Sequence, residues 1–129
     1  MTIGRLRAAF SFRGGGEMAQ DDMHVIIYKV LAYLYDCMKK GIDPDKSMLA
    51  PDGLLFGGVP ERYWNSIWLQ MLDKGLVVGV AQAAYDDSTH IIILSPEVTL
   101  DGVEFMQENS MMKKAKDFLK DMKSILPFV

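Results

Sequence analysis

Apolar residues recur every three or four positions from Asp21 onward, which is the period of an amphipathic helix. The pattern predicts a helix of about five turns, capped by Asp21 or Asp22 and ended at Gly41. We expect its apolar stripe to face the core, with Cys37 as a small buried residue and not a nucleophile. The stripe consists of Ile27, Val30, Leu31, Leu34, Cys37 and Met38.

Two further helices are predicted downstream. Asp43-Pro44 begins a short one, since Asp is a favoured cap and Pro suits the first helical position. Pro60 begins a longer one that ends at Gly75. We expect its two tryptophans to pack against Leu31 and Leu34 of the first helix, and not to form an exposed base-stacking platform. The apolar face of this longer helix consists of Trp64, Ile67, Trp68, Met71 and Leu72.

After Gly75 the helical period disappears and two dense β-branched segments follow. Residues 76–81 and 90–94 are predicted as strands joined by the turn cluster 86–89, so they form a β-hairpin. Thr99 then caps a short helix, and a last helix runs from Met111 to about Leu126. Three helices, a hairpin and further helices are the order of a winged helix-turn-helix, so the predicted fold class is α+β.

The predicted last helix has an apolar stripe on one side and five lysines on the other. Large exposed apolar stripes are rare on monomers, so the stripe either folds back on the domain or pairs with a second copy of the chain. Attachment to a membrane surface is not expected, because Asp117 and Asp121 dilute the lysine face. The stripe also includes Ala115 and Leu126, and its candidate interaction residues are Phe118, Leu119, Met122 and Ile125.

The first 17 residues differ in charge from the rest of the chain. They carry three arginines and one glutamate, whereas the net charge of all 129 residues is −3. They lack a sustained apolar period, so we interpret 1–17 as a disordered or non-native leader, with Met18 as the alternative start. A transit peptide and a minor-groove-binding arm are the alternatives. Residues 18–109 are then the winged-helix domain, and 110–129 form a C-terminal helix of the same domain.

The sequence lacks the spacings typical of catalytic and metal sites. It contains one cysteine and two widely separated histidines, His24 and His90, so neither a disulfide framework nor a metal centre is expected. No glycine-rich phosphate loop or nucleophile motif is present. We therefore expect a cytoplasmic protein that is not an enzyme and that takes no cofactor, metal, membrane or small-molecule substrate as its partner.

Several segments of the chain resemble the YjcQ family, a group of small winged-helix proteins from Firmicutes and their phages. The resemblance rests on Tyr63-Trp64 with 71–80, on 99–115, and on 27–31 with 33–36. It extends over roughly 18–129 and leaves out the leader. It implies a winged-helix fold, and by analogy DNA binding, but it brings no catalytic residue with it.

Two functional hypotheses remain open. One is a DNA-binding regulator, of mobile-element origin, in which Arg62, Asn65 and Gln70 read base edges. The other is a protein–protein interaction module that does not bind DNA and uses the hairpin or the last helix. Residues 60–95 contain two basic and four acidic side chains, and the hairpin tip has no Lys or Arg, which weakens the first hypothesis. The lysines of the last helix are interpreted as a solvated face.

Overall fold

The computed structural model describes residues 18–121, which form four α-helices and one two-stranded antiparallel hairpin. The architecture is α+β, as predicted, and is compatible with a winged helix. The predictions for 1–17 and for Met122, Ile125 and Leu126 lie outside the described residues. In chain order the elements are α1 (Met23–Lys40), a 3-10 helix (Lys46–Leu49), α2 (Glu61–Asp73), β1 (Val77–Tyr85), β2 (Ser88–Val98), α3 (Leu100–Glu108) and α4 (Ser110–Asp121).

Helix α1 is the central element, and the hairpin, α2, α3 and α4 all pack against it. Its ends confirm the sequence prediction: Asp22 accepts a hydrogen bond from the His24 N–H (2.8 Å), and Gly41 ends the helix with φ +70°. Cys37 is buried as expected, but the placement of Met38 in the core is wrong. Met38 is exposed together with Lys39 and Lys40, so the covered side of α1 ends at Cys37.

The second predicted helix is present and short, but it begins later than predicted and is a 3-10 helix. Asp45, and not Asp43, caps it by accepting from the Ser47 N–H (2.9 Å). The chain then becomes extended at Ala50, because the residue before Pro51 is sterically disfavoured in the helical region. Most of the segment between this helix and α2 is irregular, so the middle helix of the predicted helix-turn-helix unit is a single 3-10 turn.

The core between α1 and α2 is aromatic. Trp64, Ile67, Trp68 and Met71 are buried as predicted, in one cluster with the leucines of α1. Phe56, from the irregular segment, completes it with ring centroids 6.2 Å from Trp64 and 6.1 Å from Trp68. The Trp64 Nε1–H donates to the Leu49 carbonyl oxygen (2.8 Å), which ties α2 to the 3-10 helix.

The hairpin is longer than predicted, and its turn is shorter. Asp86 and Asp87 alone form the turn, with φ of +54° and +59°, which is the two-residue geometry that matches strand twist. Near the base, the register shifts after Val78, and Gly79 adopts φ +80°. A Cβ at Gly79 would overlap the Ser95 carbonyl oxygen, so this position requires glycine.

Helices α3 and α4 close the domain behind α1. The Thr99 hydroxyl caps α3 by accepting from the Gly102 N–H (3.0 Å), as predicted, and itself donates to the Gly75 carbonyl oxygen (2.6 Å). Asn109 caps α4 by accepting from the N–H groups of Met111 (2.9 Å) and Met112 (3.2 Å). The buried side of α4 consists of Met112, Ala115 and Leu119.

Candidate nucleic-acid interface

The outer face of α2 is the surface where the sequence predicts base-reading side chains. Arg62 and Gln70 lie exposed on it. Asn65 is half-buried, and its Nδ2 donates to the Thr89 carbonyl oxygen of β2 at 3.3 Å. Its Oδ1 is buried and finds no hydrogen-bond partner among residues 18–121. Asn65 therefore links α2 to the hairpin. Of the three residues predicted to contact base edges, Arg62 and Gln70 are exposed to solvent.

The charge around this face is acidic. Glu61 and Asp73 lie exposed at the two ends of α2, and Asp86 and Asp87 are exposed at the hairpin tip. Phosphate groups approaching this side would therefore meet carboxylates on both α2 and the hairpin. The counterbalancing cations on these elements are only Arg62 and the adjoining Lys74.

A basic groove lies on another side of the molecule, where α1, α3 and α4 meet. It has a volume of about 550 Å³, and we call it the lysine groove after its four lysines, Lys39, Lys113, Lys116 and Lys120. The Lys39 Nζ stands 4.5 Å from the centre of the Tyr35 ring, a cation–π arrangement. Asp36 also lines the groove, but its carboxylate pairs with Lys40 (3.0 Å). The other acidic group in the lining is Asp117.

The described residues are strongly polarised by this arrangement. The end of α1 and the whole of α4 contribute six lysines and three aspartates, whereas the rest of 18–121 contains four basic and thirteen acidic residues. The lysines of α4 form one face, as predicted from the sequence. The groove could not be predicted, because Lys39 is distant in sequence and reaches this face only through the packing of α1 on α4.

Two of the four predicted interaction residues of the last helix, Phe118 and Leu119, lie within the described part of the chain. Leu119 is buried and Phe118 is half-buried, both against the core that α1 contributes to. The described part of the stripe therefore folds back on the domain. Met122 and Ile125 lie outside the described residues, and pairing with a second copy through that end stays a prediction, measurable as the mass in solution before and after Phe118→Glu with Met122→Glu.

The exposed side of the hairpin is partly apolar. Tyr85 stacks on His90 with ring centroids 3.8 Å apart and an interplanar angle of 7°, and Ser88 Oγ lies 3.0 Å from His90 Nε2. Ile92 and Leu94 are exposed on the same strand as His90. This surface offers apolar contact area beside an acidic tip.

The described part of the chain contains neither a candidate metal site nor a candidate membrane-spanning helix. Within 18–121, no three His, Cys, Asp or Glu side chains are grouped so that they could hold a metal ion. None of the helices formed by these residues combines the length and the apolar character required to cross a bilayer.

These features define an α+β domain with a long hairpin, an acidic α2 face and a lysine groove. The chain belongs to the YjcQ family: the family model described as YjcQ protein matches residues 28–125, from the middle of α1 to beyond the end of α4. This match confirms the resemblance carried by the sequence segments. No match was found among curated proteins or among solved structures.

Proposed function

We propose that this YjcQ-family chain is a winged-helix protein that binds duplex DNA through phosphate contacts made by the lysine groove. The observation that carries the proposal is the convergence of Lys39, Lys113, Lys116 and Lys120 on one groove in a chain that is otherwise acidic. Most of the affinity of nonspecific DNA binding comes from the neutralisation of phosphates by Lys and Arg. A duplex is therefore expected to bind at the basic groove.

The spacing of the lysines suits a phosphate backbone. At a rise of ~1.5 Å per residue, Lys113, Lys116 and Lys120 extend over about 10 Å along α4. This length corresponds to about three base-pair steps at ~3.4 Å per step. Lysine is a point charge on a flexible stem, so these contacts position a duplex without reading its sequence. We therefore expect similar affinity for duplexes of different sequence.

The proposed DNA contact lies on the lysine groove and not on α2, where the sequence predicted it. Arg62 and Gln70 stand among carboxylates, and the amide of Asn65 is engaged with the hairpin. Helix α1 lies in contact with both α2 and α4, while the lining of the lysine groove contains no residue of α2 or the hairpin. A duplex seated on the groove would leave the predicted reading residues free.

The test is a binding titration with a fluorescent duplex of about 20 base pairs over a series of salt concentrations. We compare the wild type with Lys116→Ala/Lys120→Ala in the groove and with Lys46→Ala/Lys74→Ala, an exposed pair elsewhere. The groove variant should lose affinity, and its plot of log K against log salt should be shallower by about two, since each phosphate contact contributes ~0.9. The control pair should match the wild type.

A third variant, Arg62→Ala/Gln70→Ala, separates this proposal from base reading by α2. It should bind as the wild type does. If it loses affinity while the groove variant does not, α2 is the DNA-contacting element and the lysine groove is not. Absence of any duplex binding at low salt by the folded wild type would reject both interfaces.

A second candidate function is protein–protein interaction through the hairpin. The observation that favours it is the exposure of Tyr85, Ile92 and Leu94, which are 55 %, 42 % and 57 % exposed. Apolar side chains grouped on an open surface are typical of an interaction site. Failure of the wild type to bind duplex at low salt is the result that would favour this function.

A further inference from the structure

A second cavity, also about 550 Å³, lies where the start of α2 meets the middle of α1. It shares no lining residue with the lysine groove. Lys29 of α1 lines it, together with Tyr63 of α2, the N-cap residue Pro60 and the glycine-containing segment before α2. The sequence does not indicate this cavity, because Lys29 lies outside the predicted apolar stripe of α1 and resembles a surface lysine.

Lys29 is the unusual group in this cavity. Its side chain is only 3 % exposed, whereas a lysine on a helix of this size ordinarily reaches solvent. No hydrogen bond or ion pair joins its ammonium to any residue of 18–121. Burial lowers the pKa of the Lys29 ammonium, as expected for a charge without a partner in a poorly solvated place. The ammonium keeps some contact with solvent, since the fully buried side-chain atoms without a partner in 18–121 are those of Asn65 and Trp68 and do not include Lys29 Nζ. A ligand in the cavity would replace this limited solvent contact with a charge-assisted hydrogen bond.

The start of α2 adds a second source of positive potential. The N-cap residue is Pro60, which makes no side-chain hydrogen bond to the first turn of this 13-residue helix. The N–H groups of that turn and the helix dipole favour an anion at this end. The carboxylate of Glu61 lies in the same turn, but Glu61 is exposed and does not line the cavity. The N–H groups of Gly57 and Gly58 donate to carbonyl oxygens of their own segment, so these two glycines offer no backbone donor to a ligand.

The mouth of the cavity has the opposite charge. Asp21 and Asp52 line it and are both exposed. The Tyr63 hydroxyl donates to the Asp21 carbonyl oxygen at 2.6 Å, which fixes the start of the described chain beside α2. A bare multivalent anion would be repelled at this rim. A ligand that carries one anionic group and hydroxyl or ammonium donors at its other end fits both the interior and the rim.

We propose that this cavity binds a small ligand by its single anionic group, a phosphate or a carboxylate, which meets the Lys29 ammonium and the N-terminus of α2. The hydroxyl or ammonium groups of the ligand then face Asp21 and Asp52. This site is independent of the DNA contact proposed above, since the two cavities have separate linings.

The experiment measures the thermal unfolding of the full chain with four probes: inorganic phosphate, acetate, glycerol 1-phosphate and glycerate. Sodium chloride at equal ionic strength is the reference. At least one probe should raise the Tm of the wild type beyond the chloride reference, and the hydroxyl-bearing member of its pair should do so at lower concentration. The pair that responds shows whether the anionic group is a phosphate or a carboxylate.

Two variants locate the effect. Lys29→Met removes the ammonium while keeping the length of the side chain, and Lys46→Met does the same at an exposed position. The probe-dependent rise in Tm should vanish in Lys29→Met and persist in Lys46→Met. An equal rise in both variants, or no rise with any probe in the wild type, would overturn the proposal.

A measurement on the wild-type chain tests the site even if Lys29→Met does not fold. The Cε–Hε resonances of the lysines are followed by NMR as the responding probe is added. The Lys29 resonance should shift with the same concentration dependence as the Tm. A uniform small shift of all lysines, Lys46 included, would mean general ion association and would also count against the site.

Discussion

The α2–hairpin side and the α4 side of this domain are built in different ways. On the first side an aromatic cluster, a buried Trp64–Leu49 hydrogen bond and a glycine-dependent bulge hold the backbone in place, and the surface is acidic. On the other side, three buried side chains and one Asn109 cap hold a helix whose surface is mostly lysine. The more extensive packing is therefore on the α2–hairpin side, whose acidic surface would repel phosphate groups. The lysines proposed to contact phosphates lie on the helix with the simpler support, and contacts by flexible lysine side chains tolerate such a support.

The largest expected effect comes from the aromatic cluster. Trp68→Ala should lower the free energy of unfolding by about 3–5 kcal/mol, because it empties a fully buried site beside Phe56. The Trp68 Nε1–H has no hydrogen-bond partner within 18–121, so the loss in Trp68→Ala reflects packing alone and includes no lost side-chain hydrogen bond. Leu119→Ala on α4 should cost less, about 2 kcal/mol. Chemical denaturation measures both, and equal losses would remove the contrast between the two sides.

The bulge offers a comparison between two glycines with similar backbone angles. Gly58 has φ +86° and open space around it, so Gly58→Ala should cost about 1 kcal/mol of backbone strain. Gly79→Ala adds the overlap with the Ser95 carbonyl oxygen and should cost about 3 kcal/mol. Thermal or denaturant unfolding of the two variants checks the difference. Similar losses would show that the hairpin base adjusts easily and that this side is less rigid than described.

The smallest effect concerns alkaline pH. Desolvation, followed by the charges of Asp21 and Asp22, raises the pKa of Tyr63 to about 12. Because the folded-state pKa exceeds the unfolded value, this tyrosine stabilises the fold below about pH 10, and the contribution is lost as the pH rises towards 12. Tyr63→Phe should therefore flatten the fall in stability over this window.

Denaturant titrations between about pH 9 and 12 measure this change in slope, because they cover the interval between the unfolded and folded pKa of Tyr63. Burial also raises the pKa of Tyr28, so part of the slope should remain in the variant. Lys29 acts in the opposite sense, since its lowered pKa makes stability rise with pH below the ordinary lysine value. An unchanged slope in Tyr63→Phe would mean that Tyr63 is solvated and does not hold α2 against Asp21.

The predictions that the structure confirms rest on local signals. Asp22 and Gly41 mark the ends of α1, and Thr99 marks the start of α3, because caps act within a few residues of themselves. The start of the short second helix at Asp43-Pro44 was wrong, since a second aspartate, Asp45, lies two residues further on and provides the cap.

The candidate sites were harder to predict because they are assembled from distant segments. Phe56 lies in an irregular segment without periodicity, so nothing in the sequence marked it as a core aromatic. Lys29 resembles an ordinary surface lysine until the segment before α2 covers it. The lysine groove depends on bringing Lys39 next to α4, which only the packing of α1 decides.

The bulge at Gly79 has a consequence for self-association. A two-stranded sheet has two open edges, and each exposes backbone groups to which another strand can add. The register shift and Pro96 interrupt the ladder near the base of the hairpin, where a regular row of donors and acceptors is lost. The pairs from Val80–Ile93 to Tyr85–Ser88 stay regular. Strand addition, and with it β-aggregation at high protein concentration, should therefore start at the outer half of the hairpin.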